Sequence, residues 1–349
     1  MGTCTRLTRW VAALALGLGT VACGGAQAPA PTAEAPAGEQ AASASLLTLM
    51  ANAPTSVRFE GVRRFEAYWT SGGAPQQLAY RESVVADGTG KFALTALEVL
   101  APPMGAADEA LFKVTQKLRA RTMYFARDFG IRDLGQFELN YTLIDPGQPT
   151  VVAGVPCQRM IVVERVAPDR RYLLDVHTST GLVLSSREEL LDGTLVALIE
   201  FEAIDFDPDL TNVIWDAKLA TEEVDLVPGS QQAIVKLGFV PRLPKVLPGG
   251  WKQTGFSKLT DPTNGEVWAK AVYSDGVEQV FFVVAKGKGP EHQLENPPPG
   301  TPPAHADRVS KMAVGNWTLL DADLDQGHAL VLGRTQDGLL EGLVQSAFY

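Results

Sequence analysis

What most constrains this chain is a long succession of segments in which apolar and polar residues alternate, each closed by a short turn of Gly, Pro, Asp or Ser. Phe59, Phe65, Ala67 and Trp69 share one phase of the first segment, and Arg58, Glu60, Arg64 and Glu66 share the other. A strand with one face buried reads this way. A second segment around Tyr80 meets Asp87-Gly88-Thr89-Gly90 and returns through Phe92 and Leu94, which is hairpin chemistry. Phe137, Leu139, Tyr141 and Leu143 alternate with Glu138, Asn140 and Thr142, predicting a strand, and residues 151–164, 172–178, 182–190 and 194–206 continue the pattern. Strands joined by short turns build an antiparallel meander, not βαβ units. The expected product is one large curved sheet with a few helices, at 46–53 and at 107–119, where Leu111, Val114 and Leu118 recur at helical spacing.

A second β-rich segment follows. Residues 216–238 are acidic and then mixed, and Pro241, Pro244 and Pro248-Gly249-Gly250 lead into strands at 266–273 and 277–285 joined by Ser274-Asp275-Gly276. The second of these is apolar on both faces after Val280, as a central, covered strand must be. The run Pro297 to Pro303 cannot pair in a sheet and reads as an exposed polyproline loop. Shorter apolar runs at 316–320 and 328–333 precede a helix from Asp337, whose Leu339, Leu340, Leu343, Val344, Ala347 and Phe348 form a stripe suited to packing on a sheet. At 349 residues the chain is long enough for two cores. The expected boundaries are 45–215 and 241–349, with a linker at 216–240.

The N-terminus carries an export signal over 1–22. Arg6 and Arg9 precede an apolar stretch from Trp10 to Val21 that is too short to span a bilayer. Thr20-Val21-Ala22-Cys23 resembles a bacterial lipobox, which makes Cys23 the lipidation candidate and 23–44, rich in Ala and Pro, a disordered tether. Gly24 after the Cys directs such a lipoprotein to the outer membrane. The alternative is cleavage after Ala26-Gln27-Ala28, leaving a periplasmic protein without an anchor. Cys157 then stands alone in the folded part and reads as a small buried residue.

Chemistry-bearing patterns point away from catalysis. A formal charge of −10 with no basic patch beyond the N-terminus excludes a nucleic-acid partner. His177, His292, His305 and His328 fall in separate elements without zinc-ligand spacing, and neither a nucleophile elbow nor a glycine-rich phosphate loop occurs. Glu188 and Glu189 are strand neighbours and point to opposite faces. No catalytic, cofactor or metal residue is assigned, and the expected function is non-enzymatic.

Certain motifs carry a resemblance. Gly154-Val155-Pro156, the strand at Arg171-Tyr172, Thr180-Gly181-Leu182, Leu190-Leu191-Asp192-Gly193 and Ile199-Glu200-Phe201 resemble the RseB/MucB family of periplasmic sigma-E regulators. Leu247-Pro248-Gly249-Gly250-Trp251 looks like the opening of that family's smaller domain, with Gly-Trp where Gly-Phe is usual, and Tyr273-Ser274-Asp275-Gly276 matches its YSDG turn. The resemblance implies a mainly β, α+β fold. Its N-terminal domain would be an unclosed antiparallel barrel similar to the LolA/LolB lipoprotein carriers, with helices in an apolar concavity, followed by a smaller β-rich domain. Candidates to line the concavity are Phe59, Phe65, Trp69, Phe92, Leu94, Met123, Tyr124 and Phe125. The implied partners are the periplasmic part of an anti-sigma factor and the acyl chains of lipid or lipoprotein, in an envelope stress response. The alternative is a LolA/LolB-like carrier or acceptor of lipids or lipoproteins at the outer membrane.

Overall fold

The computed structural model describes residues 39–348 apart from 72, 119–126, 167, 216–223, 261–264, 287–307, 315–316, 325–326 and 335–336. Cys23, the tether as far as residue 38, Met123, Tyr124, Phe125 and the proline run 297–303 lie outside the described residues, whereas residues 39–44, expected in the tether, are helical. The chain divides into two compact units that part between Lys218 and Leu219. Among the described residues no helix is long and apolar enough to cross a membrane.

The first unit begins with helix α1 (Glu39–Ser56), then β1 (Arg58–Ser71), β2 (Ala74–Asp87) and β3 (Phe92–Ala101). Helices α2 (Ala106–Leu118) and α3 (Leu134–Asn140) precede β4 (Tyr141–Ile144), β5 (Pro149–Val152), β6 (Val155–Glu164), β7 (Arg170–His177), β8 (Val183–Leu190) and β9 (Leu195–Asp205). Every pairing is antiparallel, in the order β3-β2-β1-β9-β8-β7-β6-β4 with β5 also on β6, so the nine-stranded sheet stays open. The β2–β3 turn forms because the Asp87 carboxylate accepts the amides of Thr89 and Lys91 at 2.7 and 3.0 Å, with Gly88 and Gly90 at positive φ.

The strand expected over Phe137–Leu143 is in its first half helix α3. Asp133 caps the helix by accepting the Gln136 amide at 2.8 Å, and Phe137 and Tyr141, four apart, stack with ring centres 5.5 Å apart. Leu139, which alternation would bury, is exposed. The single strand expected over 151–164 is broken at Ala153-Gly154, both at positive φ, into the hairpin β5–β6. Helix α1 extends beyond 46–53 at both ends and buries Leu46, Met50 and Ala53.

The second unit contains β10 (Val224–Asp225), α4 (Gln231–Leu237), β11 (Lys252–Thr260), β12 (Val267–Ser274), β13 (Gln279–Ala285), β14 (Arg308–Val314), β15 (Trp317–Leu324), β16 (Gly327–Gly333) and α5 (Asp337–Phe348). Its seven-stranded antiparallel sheet runs β10-β11-β12-β13-β16-β15-β14. Strand β13 is central, and from Val280 to Ala285 every side chain is buried whichever face it takes. Leu340, Leu343, Val344, Ala347 and Phe348 of α5 pack into one core with Leu320, Ala329 and Val331 of the sheet. Part of the stretch read as a linker, 216–240, is α4, whose Ala233 and Leu237 belong to that same core. Ser230 caps α4 by accepting the Ala233 amide, and Gly238 ends it in the left-handed conformation.

Candidate functional site

Alternation gives the first sheet two unlike faces. One face is apolar and covered, and its side chains fall into two clusters. Phe59, Phe92 and Leu94 pack with Ala53 of α1 and with Cys157, Leu182, Leu184 and Phe201. Phe65 packs instead with Tyr80, Ala96 and Ile199, with Trp69, Leu78 and Phe112 laid against them. The structure therefore brings Phe59, Phe92 and Leu94 together and sets Phe65 and Trp69 apart from them. Phe59 meets Phe201 edge-on at 5.7 Å, and Tyr80 lies between Phe65, tilted at 5.0 Å, and Phe112 of α2, edge-on at 5.2 Å. Cys157 is buried, and burial pushes its thiol up to about 11, so it stays protonated at neutral pH.

Charges bound for the same covered face escaped the sequence reading. Arg63 of β1 lies directly across from Glu82 of β2, and its Nε donates to the carboxylate at 2.8 Å. Arg127 donates to both Glu82 oxygens, at 2.6 Å to the Oε1 that Arg63 also holds and at 3.1 Å to Oε2, and to the Tyr80 hydroxyl at 2.5 Å. Asp128 closes the cluster, pairing with Arg63 at 2.7 Å and with Arg127 at 2.8 Å. Arg127 lies over the Phe65 ring at 4.6 Å and Arg63 over Phe201 at 5.8 Å, so the cluster bridges both apolar clusters. Burial alone would raise the Glu82 pKa, but the guanidiniums of Arg127 and Arg63 outweigh it and hold the carboxylate below its ordinary value. Such a cluster is stable only when complete, since removing one member strands a buried charge. One signal was legible: Arg63 occupies the phase of Phe59 and Phe65, where an arginine needs a buried carboxylate.

The opposite face is polar. Arg159, Arg171 and Arg187 pair there with Asp175 and Glu189 around a depression of about 360 Å³ floored by Leu173 and Leu198. Glu188, on the covered side, pairs with Arg170 at 2.5 Å, so Glu188 and Glu189 serve different faces. Glu66 shares the polar face with Arg64 but is buried there beneath ion-pair and hydroxyl contacts from Arg64 and Tyr68.

The motif residues have identifiable structural tasks. Gly181 sits at φ +73° where the β7–β8 turn meets α1, and a Cβ there would stand 2.3 Å from the carbonyl carbon of Leu49 and 2.5 Å from the Met50 nitrogen. Thr180 receives or gives a hydrogen bond at His177 Nδ1 at 3.0 Å, while the His177 ring lies 4.8 Å from Phe206. Burial lowers the His177 pKa. In the second unit Asp275 accepts the amides of Val277 and Glu278 at 2.9 and 2.8 Å. The Ser274 hydroxyl donates to the Glu278 carbonyl at 2.8 Å and accepts from the Gly276 amide at 3.1 Å, while Gly276 takes φ 108°. Glu278 in turn pairs with buried Arg334 at 2.8 Å, and Arg334 lies over Trp317. Tyr273 is buried in the second core, with Leu247 and Trp251 packed against it. Among the described residues no group of three or more His, Cys, Asp or Glu is placed to hold a metal ion.

No family model matches the sequence, and no curated protein does. Solved structures do. The chain is similar to the crystal structure of MucB in complex with MucA(peri), with a TM-score of 0.50 and 16% identity over 87% of this chain and 97% of that one. The complex structure of Pseudomonas aeruginosa MucA/MucB gives a TM-score of 0.48 at 16% identity, covering 87% of this chain and 96% of that chain. A crystal structure of MucB gives 0.45 at 17% identity, over 88% of this chain and 98% of that one. With its open antiparallel sheet, second β sheet and C-terminal helix, the chain has a MucB-like fold.

Proposed function

We propose that this chain is a non-catalytic regulator of the bacterial cell envelope that binds the periplasmic part of an anti-sigma factor. The observation carrying this reading is the extent of the MucB-like fold, which runs through both units and ends in the α5-backed second sheet. A simple lipoprotein carrier of the LolA/LolB kind has no need of that second sheet. The finer parts of the proposal rest on the sequence. Lipid or lipoprotein acyl chains would be sensed at the covered face bearing Phe59, Phe65, Trp69, Phe92 and Leu94, and Cys23 would carry the lipid that anchors the chain on the periplasmic side of the outer membrane.

Affinity capture from detergent-solubilised envelope tests the reading, with a tagged chain beginning at Gly24 as bait and bound protein and lipid identified by mass spectrometry. Recovery of a single-pass membrane protein with a cytoplasmic sigma-binding domain is the expected result. Recovery of lipids or assorted lipoproteins without that partner would overturn it in favour of a carrier.

A further inference from the structure

We propose that the polar face of strands β6 to β9 is a docking surface for an acidic amphipathic helix of a partner protein. The inference stands on that face alone and does not depend on which protein supplies the helix.

Register builds the surface. Arg159, Asp175, Ser185 and Glu200 stand side by side across β6, β7, β8 and β9 as directly paired residues. The row continues through Arg64 on β1 and Arg81 on β2. Two residues along the strands, Ile161, Leu173, Arg187 and Leu198 form the next row, and beyond it Arg171 pairs across to Glu189. A largely aliphatic strip interrupted by Arg187 therefore runs perpendicular to the strands, between flanks that carry arginine.

Depth gives the surface its sign. The carboxylates paired to these arginines are nearly covered, with Asp175 at 9% and Glu189 at 6% exposure. The guanidiniums lie outermost, from 33% for Arg159 through 39% for Arg171 to 50% for Arg187. Glu189 is shared between Arg171 and Arg187, leaving that corner with an excess positive charge. The three arginines of this lining are matched in number by Asp175, Glu189 and Glu200, but across β6 to β8 the outermost charges are guanidiniums, and Glu200 on β9 is the exposed carboxylate.

Dimensions choose the occupant. The flanking rows are four residues apart, about 13 Å at about 3.3 Å per residue, wide enough to admit a helix of roughly 10 Å diameter. Crossing β6 to β9 takes about 14 Å, or roughly ten helical residues. A stripe of leucines would rest on Leu173 and Leu198, with carboxylates on either side meeting the guanidiniums. A phosphate group fits less well. A compact phosphate needs guanidiniums converging on one point, and Arg159, Arg171 and Arg187 stand on separate strands, each held to a carboxylate.

The test uses the full chain in dodecyl maltoside. The probe is a 21-residue synthetic peptide of leucine and glutamate with the leucines on one helical stripe, and its counterpart carries glutamine for glutamate. In a third arm, without detergent, the Cys23→Ser chain is offered vesicles of zwitterionic lipid with phosphatidylglycerol. The glutamate peptide is expected to bind, to weaken as salt is raised, and to weaken roughly three- to fivefold on Arg187→Gln. Arg187→Gln leaves Glu189 its pairing with Arg171. Glu200→Gln is expected to tighten binding by roughly two- to threefold, a gain that misfolding cannot mimic. Equal binding of both peptides, absence of binding, no response to either substitution, or binding of the vesicles alone would each overturn the proposal.

Discussion

Replacing Gly181 with alanine separates backbone strain from the docking of α1. The glycine lies at φ +73°, where an L side chain costs roughly 1–2 kcal/mol. An added Cβ would also stand 2.3 Å from the Leu49 carbonyl carbon and 2.5 Å from the Met50 nitrogen, which are backbone atoms of a helix and cannot swing aside. Relieving such overpacking costs roughly 1–3 kcal/mol, here by lifting α1 and loosening Leu46, Met50 and Ala53 from the sheet. Gly193→Ala is the matched control, since Gly193 takes φ +88° with nothing within 4 Å of its Cβ position. Scanning calorimetry should show Gly181→Ala lowering the first unit's transition by about 5–15 °C, at roughly 2–4 °C per kcal/mol for a unit of this size. Gly193→Ala should lower it by no more than about half as much. Equal shifts for the two would refute the close packing of α1 on the β7–β8 turn.

Glu82→Gln removes one of the two carboxylates that Arg63 and Arg127 share, leaving Asp128 to two buried guanidiniums, and should destabilise the first unit by about 3–5 kcal/mol in urea unfolding; a loss under about 1 kcal/mol would mean the cluster is dispensable. Arg334→Ala removes the buried ion pair of Glu278 beside the YSDG turn and should destabilise the second unit, read as faster hydrogen exchange of the Val277 and Glu278 amides. The His177 pKa is lowered in the folded state, so the unfolded chain binds more protons once the pH falls below the ordinary value of 6.5. Stability should therefore drop on acidification through that range, and His177→Gln should flatten the drop in a series of melting curves. Cys23→Ser should abolish incorporation of labelled palmitate and release the chain from the membrane fraction; unchanged fractionation would favour cleavage after Ala28.

Where turn chemistry and alternation agreed, the elements were legible. Asp87-Gly88-Thr89-Gly90 between Tyr80 and Phe92 is such a place, and its hairpin forms in that register. The stripe from Leu340 to Phe348 also meets a sheet. Around Phe137 two periods coexist, because Phe137 and Tyr141 satisfy both alternation and helical spacing; the Asp133 cap decides for the helix. The Ser230 and Gly238 caps of α4 were present in the sequence but bracket so short a segment that its acidic surroundings dominated the reading. The ion cluster was beyond reach in a different sense. Arg63, Glu82 and Arg127 come from separate stretches, and only the register of β1 on β2 places the first pair face to face. The same holds for the arginine rows, which exist across strands and not along any one of them.

The central claim is that this chain binds the periplasmic part of a single-pass anti-sigma factor. Its most direct test mixes the purified chain with the purified periplasmic segment of the single-pass protein encoded beside a sigma factor gene in the same genome, followed by size-exclusion chromatography with light scattering. The account predicts a co-eluting complex whose mass is the sum of both polypeptides, and protection of the segment from added protease within it. Separate elution at micromolar concentration, with the segment digested as fast as when alone, would contradict it.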